Sequence, residues 1–187
     1  RGGARAVGRG QALAPHLLDR RGTRWLGSQD LVGLPGPGQP ERVIRHPTKN
    51  AWAFFEDGPG TLWLGGEIGL GRVDPRDGRN LGFAGYGPYA ELAQAKITAF
   101  QPDPDGTLWV CASSGLYVLD RRRQRVTARY HVGGDAAHRL PFNFISFILP
   151  DQHEPGVYWL ATRGAGLLRW HRPTGQTQVF AHTEGLS

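Results

Sequence analysis

Apolar positions in this chain fall in runs of five to seven residues, separated by clusters of Gly, Asp and Pro, with no sustained helical period. Residues 97–131 show the pattern most fully. There "ITAFQ" is followed by the turn "PDPDG", then by "TLWVCAS", "SG", "GLYVLD", "RRRQ" and "VTARYH". Runs of this length, rich in Val, Leu, Thr, Trp and Tyr and bounded by residues that supply reversal angles, are strand signals. The stretch predicts four short strands joined by tight turns. Downstream, "FISFIL", "VYWLATR", "GLLRWH" and "TQVFAH" repeat the arrangement. The one helix-like patch is "PYAELAQAK", residues 88–96, which reads as an insertion.

The pattern is a repeat. Aligning on Trp gives four copies, anchored by Trp25, Trp63, Trp109 and Trp159 at intervals of 38, 46 and 50 residues. An Asp stands six residues before the first three (Asp19, Asp57, Asp103) and eight before the last (Asp151). A Leu follows each anchor: Leu31, Leu70, Leu116 and Leu167. Four-stranded units recurring at this period belong to β-propellers, because a lone small sheet cannot bury both faces and needs neighbours stacked on it. The predicted fold is therefore all-β: a β-propeller with four four-stranded blades, part of a ring of about seven. The boundaries are a frayed remnant at 1–14, a degenerate first blade at 15–46, a second at 47–87 and a third at 88–132 that includes the link 88–96. The fourth runs over 133–183, and 184–187 opens a link to a further blade. The recurring Trp reads as packing between blades, not as chemistry.

Composition narrows the picture. With 28 Gly, 14 Pro and 14 Trp and Phe in 187 residues, the chain is rich in turns yet too aromatic for disorder. The formal charge of +6 rests almost wholly on Arg, with Lys49 and Lys96 the only lysines. The arginines gather on no periodic face, so no nucleic acid is expected as a partner. The single cysteine, Cys111, excludes an internal disulfide and sits in an apolar strand, where a buried inert thiol is expected. No apolar stretch approaches the ~20 residues of a membrane span. The chain also lacks a signal peptide and any Met, and reads as a piece of something longer. The seven His show no metal-ligand spacing, and no paired carboxylates or nucleophile–base arrangement emerge. No catalytic residue, metal or cofactor is expected, and the segment is read as a non-enzyme.

The recurring phrase "D-x-x-G-x-L-W-[ILV]-G-[TG]-x-x-G-L-x-x-[LV]-D", with "DGPGTLWLGGEIGLGRVD" and "DGTLWVCASSGLYVLD" as its best copies, resembles the two-component regulator propeller repeat. The approaches "HPTKN" and "LPFN", and the closing "EGLS", strengthen the resemblance. Copy one departs from it at Gly33-Leu34-Pro35, and His171 stands where the final Asp is usual. The resemblance implies a bacterial sensor whose propellers lie in the periplasm, as part of an inner-membrane protein with a histidine kinase or diguanylate cyclase as output. It implies as partners the remaining blades, the membrane-anchored output module and a small-molecule or oligosaccharide ligand, with a homodimer possible. A propeller lyase or hydrolase and a protein–protein scaffold are the alternative readings. "VGGDAAH", residues 132–138, lacks the surroundings of a cyclase motif and reads as a loop.

Alternating strand directions divide the turns between two rims. The first, carrying "DRRG", "DGPG", "DPDG" and their like, is stereotyped. The second, with the turns "SQD", "GEIG", "SSG", "RGAG" and the links between blades, varies. Function favours variable loops on a rigid scaffold. The predicted ligand contacts are therefore Lys49, Asn50, Glu67, Tyr89, Glu91, His138, Arg139, Asn143 and Arg163. His138-Arg139 is the foremost pair, since Arg grips carboxylates in two-point fashion and His adds a pH-sensitive donor.

Overall fold

A computed structural model of the chain describes residues 16–103 and 105–180. Both the predicted N-terminal remnant at 1–14 and the predicted link at 184–187 lie outside the described residues. Among the described residues fifteen strands form four antiparallel sheets, each running up and down in chain order. The first holds β1 (His16–Leu18), β2 (Arg24–Gly27), β3 (Asp30–Leu34) and β4 (Arg42–Arg45). The second holds β5 (Ala53–Glu56), β6 (Leu62–Gly65) and β7 (Leu70–Val73). In the third are β8 (Ile97–Pro102), β9 (Leu108–Ala112), β10 (Gly115–Asp120) and β11 (Arg125–Tyr130). The fourth contains β12 (Ile145–Pro150), β13 (Val157–Thr162), β14 (Gly166–His171) and β15 (Gln176–Phe180). The first strands β5, β8 and β12 lie side by side, as expected for blades around an axis. Thr98 Oγ1 donates to the Ile145 carbonyl, and Trp52 Nε1 donates to that of Ile97, tying these inner strands together.

The second sheet differs from the others. It has three strands, and its fourth place is taken by an irregular segment that touches β7 through one bridge, Val73 with Asn80. Gly and Pro are dense in this segment, which cannot keep a ladder, so it crosses to the third sheet instead. Leu81 N donates to Arg72 O, and Val126 N donates to Gly85 O, both at 2.8 Å. A Cβ on Gly85 would stand 1.8 Å from the Gln124 carbonyl oxygen, so only Gly permits this approach. The predicted insertion contributes a single 3-10 turn, Ala90–Gln94, which buries Leu92 completely.

Three apolar layers fill the spaces between sheets. Trp25, Leu31, Ile44, Leu62, Leu64 and Val73 lie between the first and second. Trp63 belongs to the layer between second and third, and Trp109 to the layer between third and fourth. Each of these three anchors thus faces the next sheet and is at most 1% exposed. Trp159 is only half-buried, packed on Phe180 at 5.6 Å between ring centres. Phe147, Leu149, Leu167 and Phe180 are 40–47% exposed, since no sheet among the described residues covers them. In that sheet the fully buried indole is Trp170, which looks back at Trp109.

The Asp that precedes each anchor has a physical purpose. Its carboxylate accepts the indole N–H: Asp19 from Trp25 at 2.8 Å, Asp57 from Trp63 at 3.4 Å, Asp103 from Trp109 at 2.7 Å and Asp151 from Trp159 at 2.8 Å. The same carboxylates close the turns, with Asp19 Oδ1 accepting from the amides of Arg21 and Thr23 and Asp151 Oδ1 from those of His153 and Glu154. One side chain thereby fixes a turn and satisfies an otherwise buried donor.

Candidate functional site

The second rim is held by backbone. At each described junction an amide of one loop meets a carbonyl of the other: Ala51 N to Ser28 O, Glu67 N to Lys49 O, Ile97 N to Gly66 O, Ser113 N to Lys96 O and Arg163 N to Phe144 O, all between 2.9 and 3.1 Å. Links between sheets therefore lie directly on the turns of the sheet beside them. Gly66 makes one such approach possible, since a Cβ there would stand 2.3 Å from the Lys49 carbonyl oxygen.

This frame gathers the predicted residues into separate patches. Lys49, Asn50 and Glu67 form the first, with Asn50 Nδ2 donating to Glu67 Oε1 at 3.0 Å. Lys49 and Asn50 both hold left-handed backbone, φ 45° and 44°. Two such non-Gly residues in a row are costly and persist only where the surroundings impose them. Next to the link, Lys96 Nζ stands 5.4 Å over the half-buried ring of Trp52.

A second patch surrounds Glu91 and Tyr89. Glu91 Oε1 accepts from Arg129 Nη1 at 2.9 Å and from the Tyr117 hydroxyl at 3.2 Å. Arg129 also donates to the Ser114 carbonyl through Nε and Nη2, and its guanidinium lies 5.6 Å from the Tyr117 ring centre. Tyr89 packs edge-on against Tyr117 at 6.3 Å. Burial pushes the Tyr117 hydroxyl up to about 12, so it is a neutral donor at ordinary pH. Arg129 spends its donors within the fold, and the patch acts as a brace.

His138, Arg139 and Asn143 share the long link between the third and fourth sheets. Nδ1 of His138 meets Asp135 Oδ1 at 2.9 Å while its ring packs on Tyr130 at 5.2 Å. Arg139 Nε donates to the Gly134 carbonyl, and Asn143 Oδ1 accepts from Val132 N. His131 joins this link to the second patch, and burial together with the charge of Arg129 lowers its pKa. Arg163 stands apart on the fourth sheet, over the Phe144 ring at 5.3 Å. Trp52, Lys96, Tyr117 and Arg129 were not predicted. The available signal was departure from the repeat: Tyr117 stands where the second copy has Gly71 and the fourth Leu168.

Cavities open elsewhere. One of about 580 Å³ lies on the first rim, lined by Asp57, Asp105, Thr107, Asp120, Arg121 and Arg122 among others. Another of about 320 Å³, between third and fourth sheets on that rim, is lined by Asp103, Asp151, His153 and Tyr158. Two more, of about 460 and 400 Å³, flank the segment 81–89 on the outer edge, and Tyr89 alone of the nine predicted contacts lines any of the four. Cys111 is wholly buried, and burial raises its pKa, which leaves the thiol protonated. Among the described residues no group of three or more His, Cys, Asp or Glu is placed to share a metal ion.

No family model and no curated protein matches the sequence. Solved structures match the fold. The extracellular domain of BT4673 from B. thetaiotaomicron, described as a hybrid two-component system, superimposes with a TM-score of 0.66 at 18% identity over 96% of this chain. The extracellular domain of BT3049 from the same organism, also described as a hybrid two-component system, gives 0.66 at 17% identity over 89%. PorZ, a surface component of the type-IX secretion system of Porphyromonas gingivalis, gives 0.65 at 19% identity over 88%. The chain covers only 23%, 24% and 26% of those three structures, about a quarter of each. The likeness shows a shared propeller-like fold.

Proposed function

We propose that the chain is a ligand-reading segment of the input region of a bacterial transmembrane signalling protein, with the second rim as its contact surface. The observation that carries this reading is the shape shared with extracellular domains described as parts of two-component systems, along nearly the whole chain. The rim supports it. Lys49, Arg139 and Arg163 are exposed cations carried on loops fixed by backbone bonds, a rigid frame with variable side chains. The neighbours' location favours a periplasmic position within an inner-membrane protein, whose kinase or cyclase output lies outside this chain. No helix among the described residues is long and apolar enough to cross a membrane. The ligand on this reading is a small molecule or oligosaccharide bearing a negative charge, met by the rim cations. The chain itself performs no chemistry on it, and the remaining blades complete the input region.

A thermal-shift screen against neutral and acidic oligosaccharides tests the reading. A ligand present at about 100 times its Kd adds ~2.7 kcal/mol to the native state, which raises the melting midpoint. Arg139→Ala and Lys49→Ala should abolish the shift for the ligand found, with at most a small drop in the ligand-free midpoint from the lost Arg139–Gly134 bond. A parent protein whose output ignores both substitutions would overturn it. The likeness to PorZ favours a second reading, in which the propeller is a scaffold at the cell surface. Capture of a protein partner through the second rim, with no response to any small ligand, would select that alternative.

A further inference from the structure

Arg72 is the anomaly of the outer flank. It lies on β7, facing the crossing segment and the β10–β11 turn, beside the cavity of about 400 Å³ lined by Phe83, Gly85, Arg123 and Gln124. Its Nη1 donates to Gln124 Oε1 at 2.7 Å, and the guanidinium lies 5.0 Å from the Trp63 ring centre. The opposite edge, formed by Nε and Nη2, meets no acceptor among the described residues, and Nε is fully buried. Partial burial pulls its pKa down from the usual arginine value, against the opposing field of Asp57. The carboxylate whose field reaches it, Asp57, is already held by Arg121 Nη1 at 3.0 Å.

The repeat shows what is missing. Arg72 pairs across the ladder with Trp63, and Arg169 holds the same register opposite Trp159. Arg169 is satisfied: its Nη2 meets Glu154 Oε2 at 2.6 Å. Glu154 sits in the turn that is two residues longer than its counterpart, and the short turn 57–62 offers no equivalent carboxylate. The half-buried Arg121 and Arg129 likewise each reach an acid, Asp57 and Glu91. Arg72 keeps the guanidinium and lacks the partner.

We propose that the cavity beside Arg72 binds a small carboxylic acid, whose carboxylate takes the free Nε–Nη2 edge in a two-point bond while its apolar part rests on Phe83. An arginine edge matches the planar carboxylate in this way. Arg123, 70% exposed at the cavity mouth, adds attraction. Because Nε is buried, binding requires an outward shift of the segment 81–85 against the two backbone bonds that hold its ends. The site is separate from the second rim and stands whether or not that surface reads a ligand.

Calorimetric titration of the full chain with benzoate and with its neutral analogue benzamide tests the site. Benzoate should bind at millimolar concentration or below, and benzamide should give no heat. Arg72→Gln should weaken benzoate binding by about tenfold or more, the loss of one charge-assisted two-point bond. Gln124→Glu, on an exposed turn, places an acid on Nη1 of the same guanidinium; by neutralising the charge it should weaken benzoate binding about tenfold or more and raise the melting midpoint without ligand. Should Arg72→Gln fail to fold, Gln124→Glu decides alone. Absence of benzoate binding, equal binding of benzamide or of inorganic phosphate, or unchanged affinity in a folded Arg72→Gln or Gln124→Glu variant would overturn the proposal.

Discussion

The seam between the second and third sheets and the seam between the third and fourth come from the same repeat, yet they are closed differently. The earlier seam is closed from outside. Phe83 of the crossing segment packs edge-on against Trp63 at 5.4 Å, Tyr86 packs on Phe83 at 4.8 Å, and the Tyr86 hydroxyl accepts from Leu70 N. The later seam is closed from within, by Trp109, Tyr130, Tyr158 and Trp170 in mutual edge or tilted contact. Arg172 caps that cluster, 4.9 Å over Trp109. A fourth strand is thus dispensable where a link is long enough to supply aromatic cover, and is kept where the link runs elsewhere.

The sharpest way to break this comparison is to remove the anchors. Trp109→Ala opens the aromatic cluster and should cost about 3–5 kcal/mol in urea unfolding, while Trp159→Ala, at a half-buried site, should cost under about half of that. Equal losses would show that the later seam owes nothing special to Trp109. Next in size, Gly85→Ala drives a Cβ into the Gln124 carbonyl and should lift the crossing segment, costing about 1–3 kcal/mol. Hydrogen exchange should then quicken at Val126 and stay unchanged at Leu168; quickening at both would mean the seams are not independent. Smaller again is the effect of the turn carboxylates. Asp103 accepts from both Trp109 and the Tyr158 hydroxyl, at 2.7 and 2.6 Å, whereas Asp57 meets its indole at 3.4 Å. Asp103→Asn should therefore cost about 1 kcal/mol in the same unfolding assay, and an unchanged midpoint would show that these bonds add nothing to the later seam.

Acid acts on the earlier seam through one carboxylate. Asp74, beside the earlier seam, is only 2% exposed, and the Arg76 guanidinium holds its carboxyl at about 2, below the ordinary 3.8. Because the folded value is the lower, the stability it brings is present above pH 3.8 and is lost as pH falls toward 2. Denaturation midpoints measured between those limits should fall more steeply for the native chain than for Asp74→Asn, and parallel curves would remove Asp74 from the account.

Much of this architecture was legible because the repeat writes its packing residues and turn residues in register. Trp25, Trp63 and Trp109 are buried for a shared reason, and the Asp spaced ahead of each proved to be the acceptor of its indole. What escaped reading depends on neighbours. Trp159 carries the same signature and is less buried because burial belongs to the facing sheet, not to the residue. The crossing segment has no alternation to reveal it; its work is done by isolated aromatics, Phe83 and Tyr86. At the rim, Lys49, Asn50 and Glu67 were visible as loop chemistry and do meet. Tyr117, Arg129 and Arg72 were hidden inside strands, where the repeat pattern makes any side chain look like core.

The junctions of the second rim are amide-to-carbonyl bonds, from Ala51 with Ser28 to Arg163 with Phe144, and away from Gly27 and Gly66, where any side chain would strike a carbonyl, such bonds are blind to side-chain identity. Mutational drift at the other positions leaves the joints intact and carries little folding penalty. A lineage of such wheels can exchange its chemical vocabulary at the tips while inheriting the same carpentry underneath.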